Sequence, residues 1–113
     1  MKDELKIKIS KDYYKMPMGR YYPKDGDYTG DKFRKEFLEP NFDEYKKIII
    51  DLDDLYACPS SFREEAFAGL VRALKIKPQD VLDKLVFETI DFPDLINTIH
   101  DEIKNAYNKQ KLF

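Results

Sequence analysis

The sequence has no tryptophan, one cysteine (Cys58) and one histidine (His100). A single cysteine excludes an intrachain disulfide and favours a reducing compartment. A lone histidine with no second ligand at metal spacing supplies no zinc motif. Charge of one sign is also lacking: 20 basic and 22 acidic residues leave a formal charge of -2. That balance indicates neither a basic nucleic-acid binder nor a disordered acidic tail. Apolar runs stay short, three residues at Ile48–Ile50 and at Leu85–Phe87, far below the ~20 of a membrane-spanning helix. The opening MKDELKIKIS carries charge without an apolar stretch and does not read as a secretory signal. The expectation is a cytoplasmic protein without nucleic acid, membrane or cofactor as partner.

What remains suffices for one core. The chain has 113 residues, is 42% apolar and carries 8 Tyr and 8 Phe. One domain spanning 1–113 is expected, with a radius of gyration of roughly 13 Å. Residues 5–9 alternate apolar and charged and predict a half-buried strand. Turn signals at Met16–Gly19 and Pro23–Gly26 leave a small hairpin or a long ordered loop between the Tyr13-Tyr14 and Tyr21-Tyr22 pairs. A helix is expected from Thr29, as cap, to Pro40, burying Phe33 and Phe37. The run 48–52 reads as a central strand covered on both faces. Ser61 and Glu64 form an S-x-x-E capping box for a second helix whose apolar stripe runs from Ala66 to Leu74. Gly69 within it costs about 1 kcal/mol relative to alanine unless another element approaches closely. Pro78 opens a short helix, 85–89 is a strand, and Asp91 caps a final helix with Ile96, Ile99, Ile103 and Ala106 or Tyr107 inward. The alternation gives an α/β fold, a small mixed or parallel β-sheet flanked by helices.

Three groups carry potential chemistry. Asp51 and Asp53, two apart at a strand end, would point to one side and offer oxygen ligands to a divalent cation. Cys58 precedes a helix N-terminus, where amides lower a thiol pKa, but Pro59 removes an amide that a phosphate cradle needs. Ser60 and Ser61 stand where a loop enters a helix, so a phosphoryl group on Ser60 would meet favourable helix-terminal charge.

The segment Ile48–Asp54 followed by Pro59-Ser-Ser-Phe-Arg-Glu-Glu-Ala-Phe-Ala-Gly-Leu-Val-Arg72 resembles the STAS-like family of small bacterial and prophage proteins. Gly19-Arg20-Tyr21, Gly26 and Thr29-Gly30-Asp31-Lys32-Phe33-Arg34 resemble its opening block. The resemblance implies a STAS-like fold related to the anti-anti-sigma regulators. Those are phosphorylated on a serine at a strand-to-helix loop by kinases of the histidine-kinase-like ATPase fold. Carried over, Ser60 is the candidate switch residue and Ser61 the next. The resulting expectation is a non-enzymatic regulatory protein–protein interaction module. Tyr56, Arg63, Arg20 and Tyr21 would face the partner, such an ATPase. The alternatives are a small metal-dependent phosphate-processing enzyme using Asp51 and Asp53, and a structural scaffold.

Overall fold

Three strands, all parallel and in the order β1-β2-β3, form the sheet: β1 (Lys2–Lys8), β2 (Tyr45–Asp51) and β3 (Leu85–Glu88). The structure, a computed structural model, describes residues 1–111, with side chains described through Ala106. The Tyr107 side chain, an alternative to Ala106 on the inner stripe, and residues 112–113 lie outside the described residues. Parallel strands need crossover connections, and helices supply them. A single turn, α1 (Ile9–Asp12), follows β1, and a long loop leads to α2 (residues 30–38) before β2. Between β2 and β3 lie α3 (residues 60–74) and α4 (Pro78–Lys84); α5 (Leu95–Lys111) closes the chain.

Ile7, Ile48, Ile50, Leu85 and Phe87 are buried, facing the helical side together with Phe33, Phe62, Phe67, Leu70, Ile99 and Ile103. The opposite side of the sheet is open, contrary to the expectation that β2 is covered on both faces. There Ile49 stands in register between Lys6 and Val86, and Val86 is 40% exposed. Lys6 reaches across to Glu88 at 3.4 Å. The unbroken Ile48–Ile50 run therefore reflects burial on one side and partial shielding by neighbouring side chains on the other, where lysine stems cover apolar surface while their charges stay in water.

The region 13–29 takes the ordered-loop form rather than a hairpin. Tyr13 anchors it, donating its hydroxyl to the Thr29 carbonyl at 2.9 Å and packing against Phe33 and Phe37. Thr29 occupies the cap position of α2, but its hydroxyl bonds the Asp31 carboxylate at 2.7 Å rather than a backbone amide. The reason is local: the carbonyls of Gly19 and Arg20 already accept the N–H groups of Gly30 and Asp31. The last helix begins at Leu95, not after Asp91. Asp91 instead accepts the Asp54 N–H, and Thr89 accepts that of Phe92, holding 89–94 as a turn.

Both α2 and α3 widen into π-helical turns, Arg34–Leu38 and Glu64–Ala68. They meet at two glycines. A Cβ at Gly30 would lie 2.5 Å from the Phe62 carbonyl oxygen and 3.0 Å from the Ala66 nitrogen. A Cβ at Gly69 would lie 2.5 Å from the Arg34 guanidinium. Gly69 thus belongs to a buried close approach, which explains its place in mid-helix.

Candidate functional site

Two loops meet at the C-terminal end of the strands, the 13–29 loop after β1 and the 52–59 loop after β2. The Tyr56 N–H donates to the Lys15 carbonyl at 2.9 Å and ties them together. The 52–59 loop ends at Pro59, whose extended backbone delivers Ser60 as the first residue of α3. Ser60 is exposed and Ser61 half-buried. Among the described residues, no side-chain cap bond forms at this terminus.

The expected Ser61–Glu64 capping box is absent: the helix starts earlier, with Pro59 at the cap position and Ser61 already inside the first turn, and Glu64 has stronger partners. Arg72 grips it with two bonds of 2.9 Å, and Arg20 reaches the same carboxylate. Paired guanidinium–carboxylate bonds outweigh a neutral cap bond. Burial acts to raise the Glu64 carboxyl, yet the bonds from Arg72 and Arg20 overcome it and hold it at about 2. Next to it, Glu65 accepts from Arg34 at 2.6 Å, and Arg34 also reaches the Glu65 carbonyl at 2.7 Å and Glu39 at 2.9 Å. Arg34, Glu64 and Glu65 are all buried. This seam of arginines and glutamates joins α2, α3 and the Arg20 loop.

The six residues expected at a switch and docking site divide accordingly. Tyr56 and Tyr21 are 65% and 51% exposed, alongside Ser60. Arg20 is half-buried, and its Nη1 donates to Glu64, which makes it a clamp on its own loop. Arg63 is turned inward, contrary to the expected outward role. It donates to Glu102 at 2.8 Å and to the Cys58 carbonyl at 2.8 Å, so it fastens the loop and α3 to α5. Arg20 and Ser61 line one depression with Met18, Asp25 and Pro59.

Asp51 and Asp53 serve the backbone. β2 ends at Asp51, so strand alternation no longer applies at Asp53, and Asp51 accepts the Asp53 N–H at 2.9 Å. Asp53 accepts from the N–H groups of Asp91 and Ile90 and from the Thr89 hydroxyl, which hold its carboxyl below the ordinary value. Among the described residues, no group of three or more His, Cys, Asp or Glu side chains is placed to hold a metal ion. Cys58 is buried, and burial pushes its thiol up to about 12, so the helix N-terminus beside it does not activate it. His100 lies on α5 against the Phe87 ring. No helix among the described residues is long and apolar enough to cross a membrane.

Sequence reasoning missed the partners of the buried seam, Arg34 and Arg72, and the exposed methionines Met16 and Met18. A signal for the seam was present: Glu64-Glu65 precedes an apolar stripe, and a π turn carries both carboxylates inward.

A small three-stranded parallel sheet with helices packed on it makes this an α/β domain, consistent with a STAS-like fold. The family model for the STAS-like domain of unknown function matches residues 29–95, and the chain belongs to that family. The match includes β2, the serine pair and β3, and starts after the Gly19-Arg20-Tyr21 block. No curated protein and no solved structure matched the chain.

Proposed function

We propose that this protein is a non-catalytic regulatory module that docks a protein partner at the loop pole around Ser60, with Ser60 as a phosphorylatable switch. The observation that carries the reading is the contrast at the start of α3. Ser60 is exposed and free of a side-chain cap bond, while the charged groups nearest in sequence, Arg63 and Glu64, are consumed internally. A phosphoryl group on Ser60 would find the amino end of α3, where unpaired N–H groups favour negative charge. It would add a dianion next to Pro59 and Ser61, which line a depression with Met18, and so weaken a contact made there by an apolar partner group. The partner class that fits is a kinase of the histidine-kinase-like ATPase fold, carried over from the wider STAS group.

The non-catalytic reading is supported over the metal-enzyme alternative by Asp53, whose carboxylate is committed to the 89–91 turn, and by Asp51, which accepts the Asp53 N–H. The test is affinity capture from native cells, phosphosite mass spectrometry, and titration of the captured ATPase against wild type and Ser60→Glu. Phosphate on Ser60 and weaker binding of Ser60→Glu are expected. Unchanged affinity removes the switch, and retention of no protein removes the docking role.

A further inference from the structure

The 13–29 loop carries a second feature beside the serine pole. Tyr14 and Tyr28 stack face to face, their ring centroids 4.0 Å apart at 13°. With Met16 and Met18 they line a depression of about 280 Å³ whose other wall holds Asp25 and Asp27. Such a volume lies below the roughly 300–1,000 Å³ of small-molecule sites. It suits one large apolar side chain rather than a cofactor.

The four apolar side chains are 36–51% exposed, which is unusual for so many large groups in one short loop. The loop that carries them is braced. Tyr13 fixes one end to Thr29, the Met18 N–H bonds the Tyr28 carbonyl at 3.0 Å, and Lys15 is tied to Tyr56. A loop this well braced holds its apolar groups outward at a standing cost in solvation. Methionine side chains adapt to apolar shapes that differ in detail.

Charge selects the occupant. The lining includes two carboxylates and no cation. Asp25 spends one oxygen on the N–H groups of Arg20 and Tyr21, and among the described residues Asp27 has no ion pair. Lys15 lies over Tyr56; Lys32 lies over Tyr22 and, at 5.6 Å, over the lining ring of Tyr28 while bonding the Asp27 carbonyl, and among the described residues neither pairs with the Asp25 or Asp27 carboxylate. We infer that this groove binds a short segment of a protein partner that presents one large apolar side chain flanked by lysine or arginine. The inference rests on the docking reading above and gives the partner's chemistry.

The chain has three methionines, Met1, Met16 and Met18, so carbon-13 methyl spectra report the groove directly. The probe is a capped pentapeptide, Gly-Lys-Leu-Lys-Gly, with the Glu-for-Lys peptide as control. The basic peptide is expected to shift the Met16 and Met18 methyls, to leave Met1 in place, and to bind more weakly as salt rises. Asp27→Lys should weaken it, and Met16→Ser with Met18→Ser should weaken it about tenfold or more. Absence of shifts with the basic peptide, or equal shifts with the acidic one, overturns the inference. Concentration-dependent shifts in the chain alone also overturn it, by assigning the groove to a second copy. The two readings fail separately. If Ser60→Glu weakens the native partner and the methionine variant does not, docking stands and the groove falls. If the methyl shifts occur while native cells yield no partner, the groove stands and the docking function falls.

Discussion

The seam between α2 and α3 and the loop pole around Ser60 are both rich in side chains that could do chemistry, and they use them in opposite ways. In the seam every charge is answered: Arg34 bonds Glu65 and Glu39, and Arg72 and Arg20 bond Glu64. In the two loops and at the start of α3, Tyr56, Tyr21, Met18 and Ser60 are exposed. Polar residues in a packed interface are retained when each has its partner, since an unpaired buried charge is expensive. Exposed apolar groups on a braced loop have no such internal account. The contrast separates what holds the fold from what is available to a partner.

The comparison breaks most visibly if Arg34 is removed. Arg34→Ala leaves Glu65 buried without its main counter-charge, and a loss of about 3–5 kcal/mol is expected from urea denaturation. A loss under about 1 kcal/mol would place the seam with ordinary surface ion pairs.

Acid acts on the same seam. The Glu64 carboxyl is held at about 2 in the folded chain against an ordinary value near ~4.3. A lowered folded value means that its stabilisation is fully present above the unfolded value. It is lost as pH falls from there toward the folded one. A decline of about 2 kcal/mol between pH 6 and pH 3 is expected from this group, and Glu64→Gln should remove that part of the slope.

A smaller effect belongs to the glycine contact. Gly30→Ala forces a methyl against the Phe62 carbonyl, at 2.5 Å in the present geometry. About 1–3 kcal/mol should be lost, read as a lower urea midpoint with an unchanged slope. The smallest effect sharpens the comparison from the other side. Ser60→Ala removes an exposed hydroxyl that makes no cap bond, so stability should change by no more than about 0.5 kcal/mol. A larger loss would return Ser60 to a structural role.

Strands and helices were largely legible because periodicity is local. Alternation at residues 5–9 and the β-branched run at 48–50 located two strands, and Pro78 located the start of α4. The order and parallel sense of the strands were not legible, because they depend on crossovers longer than any local pattern. The covered and open faces of β2 were misjudged because an unbroken isoleucine run reads as burial on both sides, whereas Ile49 is shielded by residues from neighbouring strands. At the candidate site, the loop positions of Tyr56 and Tyr21 and a helix start within one residue of Ser61 were legible from turn and helix-start signals. Glu64 was misassigned because a capping box is a four-residue pattern. Its actual partners, Arg20 and Arg72, lie 44 and 8 residues away. Arg63 was assigned outward for the same reason, since Glu102 is 39 residues distant.

Amide hydrogen exchange on the full chain, alone and saturated with the ATPase captured from native cells, tests the docking pole most directly. Added protection confined to residues 14–28 and 55–62 is expected, with the open sheet face and α5 unchanged. Protection centred on β3 or α5, with the loop pole unaffected, would contradict it.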